Sequence, residues 1–264
     1  MLERGRFLVA RRHVRRALVL AVLAVLGATA PAGAAGAREV HLTTLVWEPY
    51  YGPGLRNDGF CGAIAKAAFE RAGHSVEITY VPWARALRDT AAGRFDGILG
   101  GYYTEERARK FHFSAPIAQA RGALIATPEV PLDRYDSLHE LADYKIAVGN
   151  DFAHSEAFDR ADYLNKLEVN RVQQLVHMLF KRRVDMVAMS VAVFRHEAKE
   201  LGYTDLRQMK LLEPLLFRND LFVMFSKAIT AGKALRDDFN EGLAAIKADG
   251  TYSKIRRQYG QAGS

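Results

Sequence analysis

The side chains best suited to holding a small polar molecule are arginines and aromatics in loop-like or helix-starting stretches. Arg107 follows Thr104-Glu105-Glu106, a helix start in which Thr104 reads as the N-cap, a position that also aims free amides toward an anion. Its planar guanidinium suits a bidentate grip on a carboxylate and equally suits pairing with Glu105 or Glu106 on a helix surface. Trp83 and Arg85 lie in Pro82-Trp83-Ala84-Arg85, where Arg85 is either a second cation beside the ring or a solvated helix charge. Trp47 and Tyr50 flank Pro49, and flat rings there either sandwich a ligand or join the core. Covalent and metal chemistry find no such support: there is no Gly-x-Ser-x-Gly elbow, phosphate loop, His-Glu-x-x-His or cysteine pair. The eight histidines show no metal-ligand spacing, and His112, between Phe111 and Phe113, reads as structural. No catalytic residue, cofactor or metal is therefore expected.

Those residues sit in a chain that begins like an exported one. Arg4, Arg6, Arg11, Arg12, Arg15 and Arg16 precede an apolar run over 17–30, about the length of a signal-peptide core and short for a bilayer-spanning helix. Small residues follow, and cleavage is expected after Ala37. Losing that leader removes six of 37 basic and one of 30 acidic residues, leaving 31 against 29, a net charge of +2 in place of +7. The basic excess lies in the leader, so nucleic-acid binding loses its main support. The single cysteine, Cys61, cannot form an intramolecular disulfide and reads as a small buried helix residue.

The remaining sequence alternates strand-like and helix-like stretches, which predicts an α/β fold with largely parallel sheets. Strands are expected over 40–45, 76–80, 95–99, 124–126, 145–148, 184–189 and 221–225. Helices are expected over 60–72, 83–92, 172–179 and 233–248, with a capping box at Ser137-Leu138-His139-Glu140. Two stretches match in kind, 87–100 and 175–190: each is a helix, a basic turn and a strand whose second residue is an acid, Asp96 in one and Asp185 in the other. This predicts two related lobes with a ligand crevice at the strand ends.

Four segments in order then carry a resemblance: Trp47-Glu48-Pro49-Tyr50; the stretch from Ala92-Gly93-Arg94-Phe95-Asp96-Gly97 through Thr104-Glu105-Glu106-Arg107 to Phe113-Ser114-Ala115-Pro116; Ser137-Leu138-His139-Glu140-Leu141 before Lys145-Ile146-Ala147-Val148; and Ala248-Asp249-Gly250-Thr251-Tyr252. Together they resemble the family 3 extracellular solute-binding proteins, best known as polar amino-acid receptors of ABC importers. The resemblance implies a periplasmic-binding-protein-like fold, two α/β lobes joined by two hinge strands with a ligand cleft between them. A signal peptide would occupy 1–37, the first lobe 38–120 and 221–264, and the second lobe 121–220, with crossings near 118–122 and 218–223.

The same resemblance places Arg107 on the ligand's carboxylate and puts Trp47, Tyr50 and Trp83 around the cleft, with Tyr102 and Tyr103 where receptors often carry small hydroxyl residues. On the second lobe this chain has Asp151-Phe152-Ala153 where the family often has Gly-Thr-Thr, and Ser190 where an aspartate holds the ligand's ammonium. The expected ligand-binding set is thus Arg107, Trp47, Tyr50, Trp83, Tyr102, Thr104, Arg85, Asp151 and Ser190. The implied function is a monomeric periplasmic binding protein. It would take a small polar, carboxylate-bearing ligand, an amino acid or related metabolite, and present it to a membrane permease of the ABC type. Two alternatives remain: an accessory or sensory binding protein without a transporter, and a small lyase or dehydratase using Asp151, Glu48 or His154 as acid or base.

Overall fold

Apolar residues alternate at Val40 and Leu42 because that strand buries one face first, and the structure forms β1 there, Glu39–Thr44. The computed structural model describes residues 37–260, so the leader read over 1–37 lies, but for Ala37, outside the described residues. Parallel to β1 run β2, Ser75–Tyr80, and β3, Gly97–Gly101. Between these strands run α1, Gly59–Arg71, and α2, Trp83–Ala91. After β3 come the short helix α3, Glu105–Lys110, and the strand β4, Phe111–Phe113.

The chain then enters β5, Ala118–Ala126, a nine-residue strand longer than the 124–126 expected from its apolar end alone. A second sheet follows, with β6, Ile146–Gly149, parallel to β7, Lys166–Val169, and to β8, Met186–Ser190. The Ser137 capping box opens a single 3₁₀ turn, Leu138–Leu141. The helices here are α4, Glu156–Asp159; α5, Val172–Phe180; and α6, Val191–Glu200. The short β9, Lys210–Leu211, pairs with the end of β5.

The return strand β10, Phe217–Ser226, starts four residues before the expected 221. Its first half pairs antiparallel with β5, from Phe217 opposite Gly122 to Leu221 opposite Ala118. Its second half pairs with β3 and β4, after a register shift between Phe222 and Val223. The two strands β5 and β10 are therefore the connection between the sheets, and the strand order is β2-β1-β3-β10-β5-β8-β6-β7. The chain then forms α7, Gly232–Ala248, and α8, Thr251–Gln258. Helix α7 lies along α1, where Phe69, Phe225 and Phe239 meet with ring centroids 5.0–6.0 Å apart.

The two acids that flagged a repeat occupy matching positions. Asp96 donates its N–H to the His41 carbonyl and accepts the His41 N–H on its carboxylate at 2.8 Å. Asp185 does the same with Lys145, its carboxylate accepting that N–H at 2.7 Å. Each acid stands just ahead of one parallel strand, β3 or β8, and ties it to the neighbouring chain, within β1 at His41 and just ahead of β6 at Lys145.

Candidate functional site

The C-terminal ends of the parallel strands converge on one small cleft, the usual ligand position in open α/β sheets. From β1 the chain turns tightly through Trp47 to Tyr51, which exchange backbone hydrogen bonds. Trp47 stacks on Tyr50 at 5.0 Å and meets Tyr51 and Tyr102 at 5.7 and 5.8 Å. Gly100, at the end of β3, has φ +86°, and a Cβ on it would sit 2.3 Å from the Tyr51 ring, so only glycine lets that ring seat there. The Tyr51 hydroxyl donates to the Gly100 carbonyl at 3.2 Å.

Arg107 enters from α3. Its helix is capped by Thr104, whose hydroxyl accepts the Arg107 N–H at 3.1 Å. The guanidinium donates from Nη1 to the Tyr102 carbonyl at 3.0 Å and from Nη2 to the Asp151 carbonyl at 2.7 Å, and its Cζ lies 5.2 Å from the Trp83 ring centre. Among the described residues no carboxylate forms an ion pair with it. Burial pushes its pKa down to about 10, partly offset by the more distant charges of Asp151 and Asp159. A buried cation held only by neutral carbonyls is costly without an anion.

The cleft leaves a cavity of about 30 Å³, partly open to solvent and lined by Trp47, Tyr51, Trp83, Gly100, Tyr102, Arg107, Phe152 and Ala153. Two hydroxyls near it, on Tyr102 and Ser190, are buried without a hydrogen-bond partner among the described residues. Burial raises the Tyr102 and Tyr51 pKa values well above the ordinary tyrosine range. Tyr50 is raised by burial too, and Ser190 lies near enough to counter this in part, although its hydroxyl falls outside hydrogen-bonding geometry.

The structure thus brings Arg107, Trp47, Trp83 and Tyr102 to the cavity wall and places Tyr50 and Ser190 just behind it. It does not bring Arg85 there: that side chain is 60% exposed and paired with Asp89 at 3.2 Å, because its position on α2 faces away from Trp83's buried side. Thr104 acts through the cap. Asp151 contributes its backbone carbonyl, while the residue itself is exposed. Tyr103 is 51% exposed, turned outward onto Phe113 and Glu105. Tyr51, Gly100, Phe152 and Ala153 were not anticipated. Tyr51 adjoins Tyr50, and Phe152-Ala153 stand in the segment that departs from the family pattern.

The three groups considered as acid or base point elsewhere. Glu48 pairs with His196 at 2.8 Å. His154 is buried with Nδ1 3.0 Å from Asp159 and Nε2 3.2 Å from the Ala188 carbonyl. Asp151 turns its side chain outward. For metal, Glu39, His41 and Glu77 cluster on the neighbouring strands β1 and β2, but all three are exposed.

A cleft between two α/β sheets thus closes over a buried arginine and flat rings. The chain belongs to the bacterial extracellular solute-binding proteins, family 3, whose pattern matches residues 48–262. It is similar to the ABC transporter arginine-binding protein 1 of Escherichia coli (strain K12), with 26% identity over 243 residues, covering 90% of this chain and 97% of that protein. Among solved structures it resembles a histidine kinase sensor domain similar to periplasmic binding proteins, with TM-score 0.73 and 20% identity over 84% of this chain and 96% of that one. It also resembles an ancestral amino-acid-binding protein, a precursor of cyclohexadienyl dehydratase, with TM-score 0.66 and 21% identity over 84% of this chain and 94% of that one. At these identities the two structures speak for the fold. No helix among the described residues is long and apolar enough to cross a membrane.

Proposed function

We propose that this protein is an exported receptor that captures a small polar carboxylate and presents it to the membrane permease of an ABC-type importer. The observation that carries the reading is Arg107, a buried guanidinium without a carboxylate partner among the described residues, at the wall of a cavity near two unpartnered hydroxyls. A ligand carboxylate would accept from Arg107, and ligand polar atoms would pair with Tyr102 and Ser190. Trp47 and Trp83 would cover its flat or apolar part. In this reading the first lobe is 38–120 with 221–264, the second is 121–220, and they open about the paired segments 118–122 and 217–221.

The Escherichia coli relative is named for arginine. An arginine ligand brings two cationic groups that need carboxylates once desolvated, and no carboxylate side chain lines this cavity. The proposed ligand is therefore a carboxylate or related metabolite without a free ammonium. A thermal-shift screen of the mature protein against arginine, other amino acids and small carboxylates tests this, since a ligand binding only the folded form raises Tm by mass action. Carboxylates should raise Tm. Stabilisation by arginine or another zwitterionic amino acid, and not by carboxylates, overturns the ligand class.

A further inference from the structure

We propose that the turn carrying Asp151 and Phe152 is a built-in ligand surrogate, holding the cleft shut until a real ligand displaces it; this rests on the reading of the cleft given above. The turn follows β6 and is itself well anchored: the Asn150 N–H donates to the Val169 carbonyl at 2.8 Å and the Phe152 N–H to the Gly149 carbonyl at 3.0 Å. Asp151 has φ +57°, a left-handed conformation that costs a non-glycine residue energy and is retained where surrounding contacts demand it.

Those contacts are on the opposite side of the cleft. The Asp151 carbonyl accepts both the Arg107 Nη2–H at 2.7 Å and the Trp83 Nε1–H at 3.0 Å, so one backbone oxygen occupies two donors able to hold a ligand oxygen. The Phe152 ring accompanies it, packing against the apolar group of Trp83, Ala86, Ile98, Phe111 and Met224, which belongs to the first sheet and its helices. Gly149 permits this, because a Cβ there would stand 2.5 Å from that ring. The space left is about 30 Å³, far below the ~300 Å³ at which ligand pockets begin. A ligand oxygen that takes up both donors must displace the Asp151 carbonyl.

The exchange is favourable for an anion and poor for a neutral molecule. A carbonyl accepts hydrogen bonds from Arg107 but does not neutralise it, whereas a carboxylate does both. The surrogate thus sets a threshold: ligands that offer Arg107 no charge gain little over the contact already made, and exchange of the turn for a ligand becomes a population shift driven by differential affinity.

The test uses no ligand. In a Trp47→Phe background Trp83 is the remaining tryptophan, and acrylamide quenching of its fluorescence reports opening of the cleft. Small-angle scattering reports the same change as a larger radius of gyration. Phe152→Ala should raise the quenching constant about twofold or more and expand the scattering profile, with the fold checked by circular dichroism. Gly149→Ala, which crowds the ring instead of deleting it, should shift both readouts in the same direction. Quenching and radius unchanged in both folded variants would overturn the proposal, as would a parent protein already as open as they are. Because no ligand is present, a wrong ligand class leaves these results untouched, and a failed screen beside a confirmed surrogate counts against the proposed function alone.

Discussion

Gly242 on α7 lies so close to Ala68 on α1 that a Cβ built on it would stand 1.9 Å from the Ala68 carbonyl oxygen. The obstruction is backbone, which cannot rotate aside, so the two helices must separate to admit even a methyl group. Gly242→Ala should therefore destabilise the fold by about 1–3 kcal/mol, the usual cost of overpacking, despite alanine's better helix propensity. Chemical denaturation measures this. A variant as stable as the parent would mean that the α1–α7 contact is not under this constraint.

The matching roles of Asp96 and Asp185 give unequal expectations. Asp96 is 8% exposed and also receives Arg38 Nη2 at 2.6 and 2.7 Å, while Asp185 is half-buried and tied by its carboxylate to the Lys145 N–H. Removing a partner from buried polar groups costs more than removing one near water. Asp96→Ala should cost about 1–3 kcal/mol and Asp185→Ala about 0.5–1.5 kcal/mol in equilibrium unfolding. The reverse order would show that Asp185, and not Asp96, secures the more sensitive strand pair.

The parts of this fold that were legible in the sequence are those governed by local burial. The stripe of Phe60, Ile64 and Ala68 marks α1 to within a residue, and α7 is placed equally well. The start of β10 is not legible, because Arg218, Asn219 and Asp220 carry no apolar alternation and become a strand only by pairing with β5. Helix α6 escaped because one of its buried positions is Glu197, which breaks the apolar stripe. In the cleft, residue types pointed to Arg107 and Trp83, but Phe152 reaches the cavity only because two sheets distant in sequence meet there. Arg85 takes the second of its two readings, the solvated helix charge, since on a short helix a shift of two positions turns a side chain from the cleft to solvent.

Glu197 carries a pH signature. Burial holds its carboxyl above the ordinary value of 4.5, with Glu48 and Glu200 adding to the shift and Gln173 and His196 opposing it. A carboxyl whose pKa is higher in the folded state binds its proton more tightly there than in the unfolded chain. Folded stability therefore falls as pH rises from 4.5 through the folded value, and the loss is complete above it. Glu197→Gln keeps an acceptor for the Gln173 amide, now at 2.9 Å from Oε2, and removes the charge. Its Tm should exceed the parent's at about pH 7 and converge with it at about pH 4. A difference that stays constant across that range would place the effect in packing instead of ionisation.

Arg107 and Arg85 provide the most direct test of the binding site, since the two arginines are near in sequence and opposite in setting. Arg107 is buried against the cleft with carbonyl partners, whereas Arg85 is exposed and bound to Asp89. If a ligand carboxylate meets Arg107, deleting that side chain leaves an anion desolvated and unpaired. Such truncations typically cost about 2–5 kcal/mol, so Arg107→Ala should weaken the best carboxylate from the thermal-shift screen by roughly thirtyfold or more. Arg107→Lys should also bind weakly, because an ammonium keeps the charge but loses the planar fork and its stacking on Trp83. Arg85→Ala should leave affinity unchanged. Calorimetry on the three variants decides the matter: undiminished binding by Arg107→Ala removes Arg107 from the site, and a comparable loss in Arg85→Ala returns Arg85 to it.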